Sequence, residues 1–308
     1  MKLYIELFIL GLPIAGVFAL LATGVVMVYR ASKILTLAQG AVAMFATYAF
    51  YQLANNPSET GGRGWGLPMI VAFPAALVFA GAVGFAIERF LLRPLRDRPI
   101  LVSVIMTVGL LALLTAVAGL IWTHDRQQAP QITPSGRVTF FDITVGYTQL
   151  TILAITVVLM LAVVYLFKYT TLGIAMRAVA DDRRAALLMG IPADRISSLT
   201  WIIGGILAAL AGILLSPIVQ LQPVVLTLIA IPAYAAALFG GLTNLVRMVV
   251  GALILGVMYS IVPEVPFVKN WLVAQHDFPG ARELSIFLVV IIFMFVTGKS
   301  VQLQEEEI

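Results

Sequence analysis

The feature that most constrains the fold of this chain is an uncharged run of 51 residues, positions 196–246. As one helix it would measure about 76 Å at a rise of 1.5 Å per residue. The hydrocarbon core of a bilayer is only about 30 Å thick and needs about 20 residues to cross. The run must therefore fold back, and the turn signals Pro217 and Pro223 predict a split near 217–223.

The second half of this run, Val224–Val246, contains Pro232 and the pair Gly240-Gly241. These residues weaken a continuous helix, so a broken or re-entrant helix is the alternative to a clean span. Seven further uncharged runs are present: Leu7–Tyr29, Ile34–Ala54, Trp65–Ile87, Ile100–Trp122, Ile143–Phe167, Met248–Pro263 and Leu284–Gly298. With 61% hydrophobic and only 11% charged residues, the chain is predicted to be an all-α polytopic membrane protein with eight or nine transmembrane helices, forming one domain over residues 1–308.

The distribution of lysine and arginine predicts the orientation in the membrane. If the first span runs inward and nine segments cross, 13 of the 19 basic residues lie on the inner side and 6 on the outer side. Cytoplasmic loops normally carry the excess of basic residues. This places residues 93–99 and 177–195 in the cytoplasm and residues 123–142 outside. It also accounts for the net charge of +4 without a nucleic-acid partner.

One short segment concentrates the charge. Residues 177–195, RAVADDRRAALLMGIPADR, carry seven of the 34 charged side chains of the chain. Within it, Ala180–Met189 predicts a helix of about ten residues with Asp181 and Asp182 at its positive end. Gly190, followed by a proline two residues later, is the usual stop signal.

The face of this predicted helix that carries Ala185, Ala186 and Met189 is flanked by Arg183 and Arg184. Small residues allow close approach, so this face is suited to docking in a groove on a partner protein. An ordinary solvated loop helix is the alternative interpretation.

The segment RAALLMG, residues 184–190, has the Ala-Ala-x-x-x-Gly core of the cytoplasmic coupling motif of ABC importer permeases. The longer RAVADDRRAALLMGIPADRI resembles the form found in the H-type permease of branched-chain amino acid ABC importers. TLAQGAVAMF (36–45) is similar to the Asn-Phe-Ala-His-Gly-Glu stretch of that family, and ALFGGLTNLVRMVVGALILG (237–256) to its Gly-Gly-rich segment. IERFLLRPLR (87–96) fits as well, so the resemblance covers nearly the whole chain in the same order.

The resemblance implies a permease of the bacterial plasma (inner) membrane that forms half of a channel with a second, homologous permease. Two cytoplasmic ATPase subunits would drive it, and an extracytoplasmic solute-binding protein would deliver the substrate. The cytoplasmic loop of about residues 169–199 would couple to the ATPases. The residues in this role are Arg183, Arg184, Ala185, Ala186 and Gly190, and Arg184 stands where the family motif usually has Glu.

The same resemblance, together with the interrupted segments, predicts a translocation path. Its candidate residues are Thr36, Gln39, Gly40, Gly240, Gly241 and Asn244. A helix–helix hydrogen bond for Gln39, close packing at the glycines and a capping role for Asn244 are the alternatives. Because Gln39-Gly40-Ala41 replaces the family's His-Gly-Glu, the solute stays open between branched-chain amino acids, urea, amides and other small solutes.

The chain offers no basis for enzymatic chemistry. It has no cysteine, and its two histidines, His124 and His276, lie far apart without a metal-ligand pattern. It also lacks a phosphate-binding glycine loop with lysine. We therefore expect a transport subunit without metal or cofactor. A stand-alone secondary transporter or channel is the second hypothesis, but the central parts of the apolar runs lack the ionisable residues that proton coupling requires.

Overall fold

The computed structural model describes most of the chain between its second residue and position 265. The ranges it describes are 2–34, 36–56, 64–95, 98–122, 127, 136–140, 143–219, 221–265 and parts of 287–295. Most of the predicted span Leu284–Gly298 and much of the outer loop 123–142 lie outside the described residues. All eleven candidate site residues lie within them.

The described residues are overwhelmingly helical. The helices are α1 (Lys2–Ser32), α2 (Gln39–Ala54), α3 (Met69–Ala86), α4 (Ile100–Trp122), α5 (Tyr147–Tyr169), α6 (Thr171–Asp181), α7 (Arg183–Leu188), α8 (Ala193–Val219), α9 (Pro223–Leu228), α10 (Ala230–Phe239) and α11 (Leu245–Ile261). A π-helical segment, Ile87–Leu92, and a short 3-10 turn, Arg93–Leu95, continue α3. A second 3-10 turn, Val262–Glu264, follows α11. Strands β1 (Arg137–Phe140) and β2 (Ile143–Gly146) form an antiparallel hairpin.

The prediction of an all-α polytopic membrane protein is confirmed. Six helical stretches in the described part of the chain are long and apolar enough to cross a bilayer: Tyr4–Ser32, Met69–Leu95, Leu101–Trp122, Tyr147–Tyr169, Ala193–Val219 and Leu245–Glu264. The stretch Pro223–Phe239 is apolar but shorter. The count of eight or nine spans therefore stays a prediction.

Two predicted spans begin later than their apolar runs. Residues 143–146 of the run Ile143–Phe167 form β2, so α5 starts only at Tyr147. The run Ile34–Ala54 becomes helical only at Gln39. Lys33, just after the end of α1, has a left-handed backbone conformation (φ +56°). In both cases the apolar residues are present, but the local backbone conformation delays the helix.

The broken helix predicted in the second half of the long run is confirmed. The run folds back after α8, and Pro223 opens α9 at the first helical position, where its missing N–H costs nothing. Helix α9 ends at Leu228 and α10 begins at Ala230. Pro232 lacks the N–H that would bond to the carbonyl of Leu228, and its ring crowds that carbonyl. The interruption therefore lies at Ile229.

The centre of the bundle is built from α1 and α8, which are largely buried, whereas α4 and α5 expose many apolar side chains. Glycines allow the closest contacts between helices. A Cβ atom built on Gly256 of α11 would lie 2.3 Å from the Cα of Ala15 in α1, and one on Gly11 would lie 2.7 Å from the Cα of Val257. In a membrane, where packing rather than hydrophobicity joins helices, such small residues set the approach distance.

We expect Gly256→Ala to destabilise the protein, because the added methyl group meets backbone atoms of α1 that cannot rotate away. Overpacking of this kind costs about 1–3 kcal/mol in free energy of unfolding. The measurement is thermal stability of the detergent-purified protein. Gly109→Ala is the matched control, since its Cβ would meet nothing within 4 Å. Equal stability of the two variants would contradict the assigned α1–α11 packing.

Candidate coupling segment and translocation path

The candidate coupling segment, about residues 169–199, starts with α6. One face of this helix packs against the bundle. Its buried residues are Gly173, Met176, Val179 and Ala180, a spacing that follows one side of a helix. The hydroxyl of Thr170 caps the start by accepting a hydrogen bond from the amide of Gly173 at 3.1 Å. The guanidinium of Arg177 donates to the carbonyl of Phe167 at the end of α5. These contacts fix the angle between α5 and α6.

The single helix predicted over Ala180–Met189 is wrong. Asp182 has an extended backbone (φ −145°, ψ 109°) and separates α6 from α7. Its carboxylate accepts hydrogen bonds from the amides of Arg184 at 2.7 Å and Ala185 at 3.0 Å. An N-cap requires a non-helical backbone at the capping residue. Asp182 therefore starts a new six-residue helix instead of continuing the old one.

The stop signal at Gly190 is confirmed. Gly190 has φ +81°, a conformation that glycine adopts without steric cost. Its amide bonds to the carbonyl of Leu187 at 3.0 Å, and the amide of Ile191 bonds to the carbonyl of Ala186 at 2.9 Å. This pair of bonds is the Schellman arrangement. It turns the chain directly from α7 into α8.

The surface of α7 differs from the predicted small-residue face. Ala186 is buried against the bundle, whereas Ala185 and Gly190 are exposed. The free side instead carries three large apolar side chains: Leu187 is 51% exposed, Leu188 88% and Met189 82%. Ala186 therefore packs α7 against the bundle. Leu187, Leu188 and Met189 form an exposed apolar tip on the free side of α7.

An ion-pair network joins α7 to its neighbours. The carboxylate of Asp194, in the first turn of α8, contacts the guanidinium of Arg183 through Oδ1 and that of Arg93 through Oδ2 at 2.5 Å. Asp194 was not singled out from the sequence. By contrast, Arg184, at the position where the related motif has Glu, is exposed.

A groove of about 810 Å³ lies beside this network. Leu187 and Pro192 line it from the coupling segment, and Arg89 and Arg93 line it from the segment that continues α3. Helix α8 contributes residues 193–195, Ser198, Leu199 and Ile202. The groove places the tip of α7 next to a concave, basic surface. Together they form one continuous exposed region on the side of the protein predicted to be cytoplasmic.

The other candidate site is buried and surrounds the start of α2. Gln39 is 1% exposed, and its Nε2 donates to the carbonyl of Gly204 in the middle of α8 at 2.7 Å. Thr36 is also buried, and its Oγ1 accepts from the amide of Ala38 at 3.3 Å. A helix–helix hydrogen bond was the alternative interpretation of Gln39, and this bond is present. It holds the start of α2 deep in the bundle.

The break between α9 and α10 meets α2 at Gly40. A Cβ atom on Gly40 would lie 2.3 Å from the carbonyl oxygen of Thr227 and 2.6 Å from the Cβ of Ala230. The buried hydroxyl of Tyr234 lies beside the backbone amides of Gln39 and Gly40, without a hydrogen bond of good geometry among the described residues. Gly40, Thr227, Ala230 and Tyr234 form what we call the interior junction.

Gly240, Gly241 and Asn244 lie in a different place. Gly240 ends α10, and Gly241 (φ +60°) and Leu242 (φ +57°) turn the chain. The Oδ1 of Asn244 accepts from the amides of Val246 and Arg247, so Asn244 is the N-cap of α11. Ten residues separate Ala230 from Gly240, about 15 Å along a helix. These three residues therefore form a turn at one end of the bundle, away from Gly40.

The π-helical segment after α3 contains a buried carboxyl group. Glu88 is 1% exposed, and its Oε2 accepts a hydrogen bond from the hydroxyl of Ser198 in α8 at 2.6 Å. This hydrogen bond joins the π-helical segment to α8 and is a packing contact. Among the described residues, no group of three His, Asp or Glu side chains could hold a metal ion.

Comparison with known proteins gives a consistent result. Residues 7–297 match the family described as branched-chain amino acid transport system, permease component. The high-affinity branched-chain amino acid transport system permease protein BraD of Pseudomonas aeruginosa is 30% identical over 259 residues, 82% of this chain and 84% of the relative. LivH of Escherichia coli strain K12, a permease of the same description, is 30% identical over 253 residues, 80% and 82% of the two chains.

A more distant relative is the probable branched-chain amino acid transport permease protein LivH of Methanocaldococcus jannaschii, 28% identical over 255 residues, 80% of this chain and 78% of the relative. No solved structure matches the chain. These relatives are transport permeases rather than enzymes. The family match and the apolar membrane-crossing helices show that the chain is a multi-pass permease of the inner membrane and belongs to the family of branched-chain amino acid transport permease components.

Proposed function

We propose that this chain forms half of the membrane channel of an ATP-driven importer for branched-chain amino acids, together with a second homologous permease. The observation that carries the proposal is the coupling segment: a capped, six-residue helix outside the bundle whose tip exposes Leu187, Leu188 and Met189. Exposed apolar clusters rimmed by polar residues mark interaction sites in proteins. We infer that the tip docks in a groove on a cytoplasmic ATPase, one for each of the two permeases.

The proposed mechanism follows from the position of the two sites. ATP binding draws the two ATPases together, and each moves the α7 docked on it. The permease pair then shifts between conformations open to opposite sides of the membrane. We propose that the path opens at the interior junction, where Gly40 meets the interrupted helix at Thr227 and Ala230.

The substrate is proposed from the names of the relatives and agrees with the chemistry of the interior junction. This region contains the hydroxyl groups of Thr227 and Tyr234, and the side-chain amide of Gln39 lies next to it. Such neutral groups suit a small zwitterion and allow weak binding. Selection of the solute then rests with an extracytoplasmic binding protein, which delivers it to the permease.

The experiment is leucine uptake by proteoliposomes that contain this permease together with a second permease, ATPase subunits and a binding protein from the same organism. We expect uptake that requires both ATP and the binding protein. Urea and simple amides serve as competing solutes. Leucine flux driven by an ion gradient, with no ATPase present, would instead establish a stand-alone secondary transporter.

A further inference from the structure

We propose that Asp194 is the positioning residue that transmits movement of the coupling helix to the interior junction through α8. The proposal rests on the function above and adds a specific mechanical connection to it. Asp194 uses both carboxylate oxygens, one for Arg183 of α7 and one for Arg93 at the end of α3. Three separate segments of the chain therefore meet at one side chain.

The contacts hold α7 to α8 at both of its ends. At its C-terminal end, the chain passes through the turn at Gly190 directly into α8, and two backbone hydrogen bonds from Gly190 and Ile191 to α7 hold this turn. At its N-terminal end, Arg183 is bound by Asp194. Helix α7 is only six residues long, about 9 Å. With both ends fixed, a force on its apolar tip moves α8 instead of rotating α7 about the glycine turn.

Helix α8 continues this connection into the bundle. Four residues after Asp194, the hydroxyl of Ser198 donates to the buried carboxyl group of Glu88 in the π-helical segment. Ten residues after Asp194, about 15 Å along the helix, the carbonyl of Gly204 accepts the hydrogen bond from Gln39. One helix thus joins the coupling segment, the end of α3 and the first residue of α2.

The interior end of this connection is the place where the proposed path opens. Gln39 is followed directly by Gly40, which contacts the interrupted helix at Thr227. The π-helical segment Ile87–Leu92 holds a wider turn than an α-helix, and such turns often occur at functional sites. A displacement of α8 reaches α2 directly, through the hydrogen bond from Gln39 and through the close packing of Gly212 against Ala43.

An isolated ion pair at this exposure contributes little to stability, because the Asp194 side chain is 47% exposed. The proposal therefore predicts a defect in coupling instead of a loss of folding. Asp194→Asn keeps the shape of the side chain and removes its charge. We expect the ATP hydrolysed per leucine transported to rise by about fivefold, the lower end of typical coupling factors between sites. Assembly with the ATPases should be retained.

Matched variants separate this role from a general effect of charge. Asp181→Asn removes a neighbouring exposed carboxylate of the same segment and should leave the ratio unchanged. Asp194→Glu restores the charge and should recover most of the coupling. Arg183→Gln removes only the contact with α7 and should reproduce part of the defect. The double variant Arg183→Gln with Asp194→Asn should be no worse than Asp194→Asn alone, because Arg183 acts through Asp194.

The readout is the ratio of ATP hydrolysis to leucine uptake in proteoliposomes, with ATPase co-purification as the assembly control. A wild-type ratio for Asp194→Asn would overturn the proposal. So would a defect that Asp181→Asn shares, or a loss of assembly in both Asp194→Asn and the double variant. Absence of ATP-driven uptake by the wild-type system would instead contradict the proposed function itself.

Discussion

Leu188→Glu is expected to abolish ATP-driven uptake while leaving the permease folded. Leu188 is 88% exposed at the tip of α7, so a glutamate there disturbs no packing in the isolated chain. In the complex, it would bring an unpaired charge into an apolar interface. Loss of a central interface residue typically costs 2 kcal/mol or more, about a 30-fold loss of affinity. ATPase co-purification and leucine uptake both measure this loss.

The matched control adds the same charge to another turn on the same predicted side of the membrane. Thr243 lies exposed between α10 and α11, so Thr243→Glu changes the net charge equally without touching α7. We expect normal ATPase association and uptake for this variant. Normal uptake by Leu188→Glu, or an equal loss in both variants, would show that the tip of α7 is not the docking site.

The helical membrane architecture was largely predictable because lipid offers no hydrogen-bond partners to the backbone. A long uncharged run must form helices in which every backbone group is satisfied internally. Proline then marks where a helix starts, as at Pro223, and where one breaks, as before Pro232. These signals are local in sequence, so they could be read without knowledge of the fold.

The position of the coupling segment was predictable from the sequence, but its division into two helices was not. The glycine at position 190 ends the helix as expected, since its left-handed backbone is a local property. The break at Asp182 was missed because aspartate at a helix start favours either a continuous helix or a new cap. The side of α7 that faces the bundle is set by tertiary packing. The burial of Ala186 could therefore not be predicted from the order of residues in the segment.

The connections between sites could not be predicted, because they join residues far apart in the chain. The amide of Gln39 bonds to a carbonyl 165 residues away. Asp194 pairs with Arg93, which is also distant in the sequence, and its charge was one of several in a segment that a solvated loop could explain. A polar residue in a span indicates that a partner exists, but only the fold identifies that partner.

Gly40→Ala tests the interior junction as Leu188→Glu tests the docking site, and we expect it to reduce uptake at least about fivefold with the complex still assembled. The new methyl group would lie 2.3 Å from the carbonyl oxygen of Thr227, so α2 and the interrupted helix must move apart. Overpacking costs about 1–3 kcal/mol, which shifts a conformational balance roughly 5- to 150-fold. Because the strain is at the proposed gate, the expected result is continued ATP hydrolysis with little leucine transported.

Gly24→Ala is the graded control for this variant, since it lies at the same level of the bundle but in a looser environment. Its Cβ would lie 3.2 Å from Nε2 of Gln39 and 3.3 Å from the carbonyl oxygen of Gly204, distances that small shifts relieve. We expect a smaller loss of uptake than for Gly40→Ala. If both variants transport leucine equally well, contact between α2 and the interrupted helix does not control the path, and the opening must lie elsewhere in the bundle.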